Sequence, residues 1–191
     1  ELYQSIKKTF PSDVELVLFH ARYPADQRGE IEKKVLSSFG VEGIRPSCAL
    51  LIATQVAEQS LDIDFDFIVT DLAPMDLILQ RAGRLHRHTR ERSIAHKIPI
   101  LTVAGLASDA LPDLTNTAWK FVYPPWVLGR TWALLSRESQ ISLPADIDRF
   151  VQAVYDEEFP LPEDIPLIER ERIEGEFLFD YEGKRYEETK F

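Results

Sequence analysis

Leu2, Ile6 and Phe10 recur at a spacing of four, which lays them along one face of a helix. The helix begins without a cap or a preceding strand, so the chain is expected to start partway through a domain. Pro11-Ser12-Asp13 breaks the periodicity, and Val14 to Phe19 follows as an apolar run of strand length. Tyr23-Pro24-Ala25-Asp26 then opens a second helix, with Ile31, Val35, Leu36 and Phe39 as its apolar stripe and Gly40 and Gly43 as its end. Two further runs, Cys48 to Ala53 and Asp66 to Thr70, are continuous enough to predict strands covered on both faces. Pro74 is placed for the first turn of a third helix with Leu77, Ile78 and Ala82 inward, and Ile98 to Val103 predicts another strand.

Strands alternating with helices at this spacing predict an α/β fold, a parallel sheet flanked by helices and joined by right-handed crossovers. The texture changes after Ala104. Residues 107–125 read as loop and carry Trp119, Phe121 and Tyr123, with Trp126 just beyond. Such a cluster either stacks bases or forms core where the later segment packs on the lobe, and core is the commoner use of it. Two helices are expected, Trp126 to Ser136 and Ala145 to Tyr155, the second turning Ile147, Phe150, Val151 and Val154 to one side. From Phe159 the prolines at 160, 162 and 166 among acids suggest a linker, and Phe177 to Tyr186 around Glu182-Gly183 suggests a hairpin too small to be stable by itself. The expected organisation is a lobe over residues 1–104, a helical accessory segment over 105–158, and an acidic linker with a hairpin over 159–191.

Composition adds little to this picture, with 45% hydrophobic and 28% charged residues. No apolar run approaches the roughly 18 residues of a membrane span, and Glu1 to Lys8 is no signal peptide. The single cysteine, Cys48, has no partner for a disulfide and reads as buried strand filler in a cytoplasmic protein. Charge changes the picture more. The net charge of −10 argues against a nucleic-acid partner, yet Arg81 to Lys97 holds six basic residues against the one acid Glu91, so a local basic patch survives. The histidines at 86, 88 and 96 lack the cysteines or clustered acids of a metal site, and none is expected.

The chemistry is concentrated between Ala53 and His88. In Gln80-Arg81-Ala82-Gly83-Arg84-Leu85-His86-Arg87, Arg84 and Arg87 are three apart and can face one point, and Gly83 permits close backbone packing. Guanidinium suits the charge that builds on a transferred phosphoryl group, because it stays ionised and offers a planar fork of donors. Three arginines in a short window are also compatible with a solvated basic helix end. Asp62, taken without its neighbours, is as compatible with a cap or a surface acid, and Glu58 with a loop-holding role.

The string Q-R-x-G-R-x-x-R, following a strand and L-D-I-D, resembles motif VI of superfamily 2 helicases, and Thr54 to Asp62 resembles their motif V. The longer strings TQVAEQSLDIDFD and TDLAPMDLILQRAGRLHRH resemble the CRISPR-associated helicase-nuclease of type I systems, although Ser60 stands where many superfamily members have glycine. With TWALLSRE and LPADIDRFVQAVYDEE the likeness extends to about residue 158.

The resemblance implies the second RecA-like lobe of an ATP-driven motor moving 3′ to 5′ on single-stranded DNA. It implies Arg84 and Arg87 as fingers toward the γ-phosphate, Gln80 and Arg81 as supports that link the lobes, and Asp62 near the ribose and attacking water. Thr54 and Gln55 match positions that contact the nucleic-acid backbone, and His20 and Arg22 are candidates for the same surface. A P-loop is missing, since Gly183-Lys184 is followed by Arg185 and has Leu178 where a glycine is needed. ATP with Mg2+ is therefore expected to be held mainly by a first RecA-like lobe. That lobe, an HD nuclease domain on the same or a separate chain, and a CRISPR RNA-guided surveillance complex are the expected partners. Another superfamily 2 DNA or RNA helicase lobe, or a non-catalytic docking module, is the alternative.

Overall fold

The computed structural model describes residues 2–55, 61–106, 110–113, 121–156 and 158–188, the last eight of these by backbone alone. Glu58, Ser60 and Trp119 lie outside the described residues. The elements run α1 (Leu2–Thr9), β1 (Glu15–Phe19), α2 (Ala25–Phe39), β2 (Ala49–Ala53), β3 (Phe67–Thr70), α3 (Met75–Ala82), β4 (Ile100–Val103), α4 (Pro125–Leu135), α5 (Ile147–Tyr155) and α6 (Leu167–Glu188). They fall into two compact units. The first comprises Glu1–Ile68 and Gly83–Ile100, the second Val69–Ala82 and Leu101–Phe191.

In the first unit β1 and β2 pair in parallel, in a register running from Glu15 opposite Ala49 to Phe19 opposite Ala53. Helix α2 connects them and turns Val35 and Phe39 onto Val17 and Phe19, with Leu61 and Ile63 completing the core. The helix ends where the Gly40 N–H donates to the Leu36 carbonyl at 2.9 Å. A Cβ at position 40 would stand 2.5 Å from that carbonyl oxygen, so glycine is the residue that permits this closure. Expected and observed strands agree within two residues, but β2 is only half-buried, and Cys48 is exposed rather than core filler. The reason is local: Cys48 precedes the first paired residue of β2 and contributes only its carbonyl, to the Glu15 N–H.

Strands β3 and β4 form a second two-stranded sheet, so the described residues hold two small sheets rather than one continuous one. In the second unit α3 buries Met75, Ile78 and Leu79. This differs from the expected face of Leu77, Ile78 and Ala82, because Met75 and Leu79 are claimed by Trp126, Val127, Phe150 and Val154 of α4 and α5. Helix α4 opens with Pro125 in its first turn and is buried continuously from Trp126 to Ala133. Of the aromatics, Trp126 is core and Tyr123 packs against core, whereas Phe121 is 82% exposed.

The hairpin expected near Glu182-Gly183 does not form, and helix α6 occupies that stretch. Ile173, Phe177 and Asp180 lie four and three residues apart and so share one helical face. On that face Ile173 enters the α4 core, Phe177 meets the Trp126 ring edge-on at 5.2 Å, and Asp180 accepts from the Trp126 indole at 3.0 Å. Gly129 permits the approach, since a Cβ there would lie 2.6 Å from Ile173 Cγ1. No helix among the described residues is long and apolar enough to cross a membrane.

A candidate arginine site and strand-end surface

Parallel pairing of β1 with β2 brings two groups of residues to one end of the sheet. The Thr54 N–H donates to the Phe19 carbonyl at 3.2 Å, extending the ladder one step beyond β2. This sets exposed Thr54 and Gln55 beside the turn that follows β1. There the His20 ring stacks on Tyr23 at 4.2 Å, and its Nδ1 accepts from the Arg22 N–H at 3.1 Å. Hence Thr54, Gln55, His20 and Arg22 share the carboxyl end of the parallel pair, where ligands of open α/β sheets collect.

The second group depends on the extended segment Leu61 to Asp66. Alternation points Leu61 and Ile63 into the core and leaves Asp62, Asp64 and Asp66 for polar partners. Phe65 forms a parallel bridge with Leu85: its N–H donates to the Arg84 carbonyl at 2.9 Å, and the His86 N–H donates to its carbonyl at 3.1 Å. Arg84 and Arg87 are thereby carried alongside Asp62. Arg87 Nε donates to Asp62 Oδ1 at 2.6 Å, and His88 Nε2 lies 3.0 Å from the same oxygen. These hydrogen bonds, His88 first and Arg87 second, hold the Asp62 carboxyl below the usual carboxylate range. Arg84 is partly buried, and burial followed by the Arg87 charge pushes its guanidinium down, against the opposing pull of Asp62. Two cations close enough to repel each other, sharing one carboxylate, make a place where an added anion is stabilised.

Gln80 and Arg81 belong to the second unit, at the end of α3. Gln80 is exposed, while Arg81 reaches back to Thr70 Oγ1 at 2.5 Å and to the Asp71 carbonyl at 3.4 Å. This joins the last turn of α3 to the end of β3.

The basic patch expected over residues 81–97 is corrected by the acids opposite it. Asp64, 0% exposed, accepts two hydrogen bonds from Arg92 at 2.7 and 2.9 Å and one from Arg45 at 3.3 Å, with Arg90 Nε 3.2 Å away. Asp66 accepts from Arg45 at 2.8 Å and from Arg92. Burial works against the Arg92 charge, but its bonds to Asp64 and Asp66 outweigh that and raise its pKa. Much of the patch is thus an internal ion-pair network rather than an open electrostatic footprint. The alternation D-x-D-x-D in Asp62 to Asp66 was the available signal, since period two puts three carboxylates on one side of an extended chain.

The fold and the strings it carries define a RecA-like helicase lobe. Residues 1–90 match the family described as CRISPR-associated nuclease/helicase Cas3, C-terminal. The Cas3 endonuclease/helicase of Thermus thermophilus is 46% identical over 155 residues, covering 81% of this chain and 16% of that protein. A crystal structure of a CRISPR-associated protein superposes with a TM-score of 0.83 at 35% identity, over 98% of this chain and 21% of the other. T. fusca Cas3 with AMPPNP gives 0.73 at 36% identity, over 93% and 21%. A CRISPR RNA-guided surveillance complex in a pre-nicking state contains a chain matching at 0.68 and 36%, over 93% and 22%. The chain belongs to the Cas3 nuclease/helicase family, as its C-terminal helicase lobe, and spans about a fifth or less of the length of these relatives.

Proposed function

We propose that the chain is the second motor lobe of an ATP-dependent 3′ to 5′ translocase on single-stranded DNA, acting in CRISPR interference. The observation that carries this reading is the convergence of Arg84 and Arg87 on Asp62, in the lobe of a family whose members include a structure with AMPPNP. The donor set fits the terminal phosphate of a nucleoside triphosphate. Arg84 and Arg87 stay ionised and present planar donors to charge that grows in the transition state. Arg87 exchanges its bond to Asp62 for that phosphate, which releases the carboxylate toward the ribose and attacking water. Gln80 and Arg81, at the end of α3, serve in linking this lobe to the first, with Arg81 held through Thr70. Bound nucleotide supplies the phosphoryl group and Mg2+ its charge neutralisation, both held mainly by the first RecA-like lobe.

Thr54, Gln55, His20 and Arg22 contact the DNA backbone at the strand ends. Contacts to phosphate make that binding weaken with salt. Leu61 to Asp66 follows shortly after Thr54 and Gln55 and reaches the arginines, so closure on nucleotide is coupled through it to grip on DNA. A surveillance complex delivers the DNA, and a nuclease domain outside this chain cuts it.

The test is to measure ATP hydrolysis by the purified chain with and without the first lobe added as a separate polypeptide. The chain alone gives no turnover above a heat-denatured control, and the mixture hydrolyses ATP when single-stranded DNA is present. Substantial turnover by the chain alone, with contaminating helicase excluded, contradicts the assignment.

A further inference from the structure

Asp64 is a fully buried carboxylate that neither the nucleotide nor the DNA role uses. Its neighbours in sequence are occupied elsewhere: Ile63 lies in the core, and Phe65 is bridged to Leu85. Among the described residues, the partners of its carboxylate apart from Arg45 come from the segment just after Arg87. They are the His88 N–H at 3.4 Å, Arg90 at 3.2 Å and Arg92 at 2.7 Å. Arg92 also donates to the His88 carbonyl at 3.2 Å, so both sides of that residue's backbone are tied to the same ion pair.

Between these ties and the Phe65 bridge lies His86, whose φ of +49° puts a non-glycine residue in the left-handed region. That conformation is disfavoured and persists only where flanking contacts hold it. Here the Phe65 carbonyl holds the His86 N–H on one side, and Asp64 with Arg92 holds His88 on the other. The turn so fixed presents Arg87 at its crest.

We propose that Asp64 is a positioning residue for Arg87: with Arg92 as its partner, it clamps the His86 turn and thereby aims the arginine at the phosphate. This rests on the finger role given to Arg87 above. It assigns to the middle acid of the LDIDFD string a role in transition-state geometry, beyond the packing of an ion pair. A displacement of about 1 Å at a reacting centre costs on the order of a hundredfold in rate, so a loosened clamp acts on kcat before it acts on nucleotide affinity.

The experiment uses the full-length helicase-nuclease and follows DNA-stimulated ATP hydrolysis for Asp64→Asn, Arg87→Ala and the double variant, with melting temperatures measured alongside. Asp64→Asn lowers kcat by about tenfold to a hundredfold, leaving KM for ATP within about threefold. In the Arg87→Ala background it lowers kcat by less than about twofold more, because the residue it aims is already gone. Arg92→Lys keeps the charge but gives up the paired donors. It serves in place of Asp64→Asn if that variant does not fold, with the same kcat-selective loss and the same non-additivity expected. A folded Asp64→Asn or Arg92→Lys enzyme with wild-type kcat overturns the proposal, as does a full multiplicative loss on top of Arg87→Ala. Arg87→Ala with near-normal turnover is a different result, which removes the finger role itself.

Discussion

Arg130 is 9% exposed in the middle of α4, and replacing it with methionine tests how the accessory helices hold the helix of Gln80 and Arg81. Its guanidinium donates to the Ala153 carbonyl at 3.1 and 3.2 Å, to the Asp156 carbonyl at 3.1 Å, and to the Phe159 carbonyl. It is thus a cap on the C-terminal end of α5. Burial pushes its pKa down, with Asp156 and Glu174 opposing, so a desolvation cost is already present in the native state. Methionine relieves that cost and fills much of the space, but it leaves the buried Ala153 carbonyl without this donor. An unsatisfied buried acceptor costs about 1–3 kcal/mol, and losing hydrogen bonds from a charged donor to the other two carbonyls, which water partly replaces, adds about 1–2 kcal/mol. Setting the relieved desolvation against this leaves about 2–4 kcal/mol of destabilisation. At about 2–4 °C per kcal/mol for a chain of this length, the unit melts lower by about 5–15 °C. Trp126 and Trp132 are both buried in the second unit, so tryptophan fluorescence reports on that unit during heating. An unchanged or higher melting point would place Arg130 among buried charges that an apolar side chain replaces without loss, and would refute the capping account.

Other consequences are as direct. Asp62 titrates below an ordinary aspartate, so the Arg87 pair is intact above about pH 4 and is lost as pH falls through the depressed pKa. Carboxyl NMR on the labelled chain checks this, and His88→Ala moves the midpoint up because His88 is the largest cause of the depression. Gly129→Ala forces its new methyl against Ile173 and destabilises the second unit by about 1–3 kcal/mol in urea, mostly through the packing of α6 on α4. Thr54→Ala and Arg22→Ala in the full-length protein weaken single-stranded DNA binding, and the Arg22 variant also flattens its salt dependence. An unchanged salt slope for Arg22→Ala would remove it from the DNA surface.

The α/β class, the strand positions and the strings that mark the helicase family were legible in the sequence because each depends on local pattern. Apolar runs bounded by Pro11-Ser12-Asp13 or Gly40 specify strands and a helix end wherever they occur. Partners distant in sequence were harder to see. Arg81 to Lys97 read as an open basic patch because Asp64 and Asp66, which neutralise Arg90 and Arg92, come some two dozen residues earlier. The tail was misjudged for a related reason. Glu182-Gly183 signals a turn locally, but Ile173, Phe177 and Asp180 form a helical face whose purpose appears only when Trp126 is beside it. Likewise the buried face of α3 is set by Trp126 and Phe150, not by its own periodicity.

The central claim is that Arg87 acts on the transferred phosphate rather than as a surface cation. Its pair with Asp62 is half-exposed on both sides, so removing it disturbs the fold little. The most direct measurement is DNA-stimulated ATP hydrolysis by full-length Arg87→Ala enzyme, with its melting point as control. The account predicts a kcat lowered by about 10³-fold or more at a nearly unchanged melting temperature. A folded variant that turns over ATP within a few-fold of the wild-type rate would contradict it.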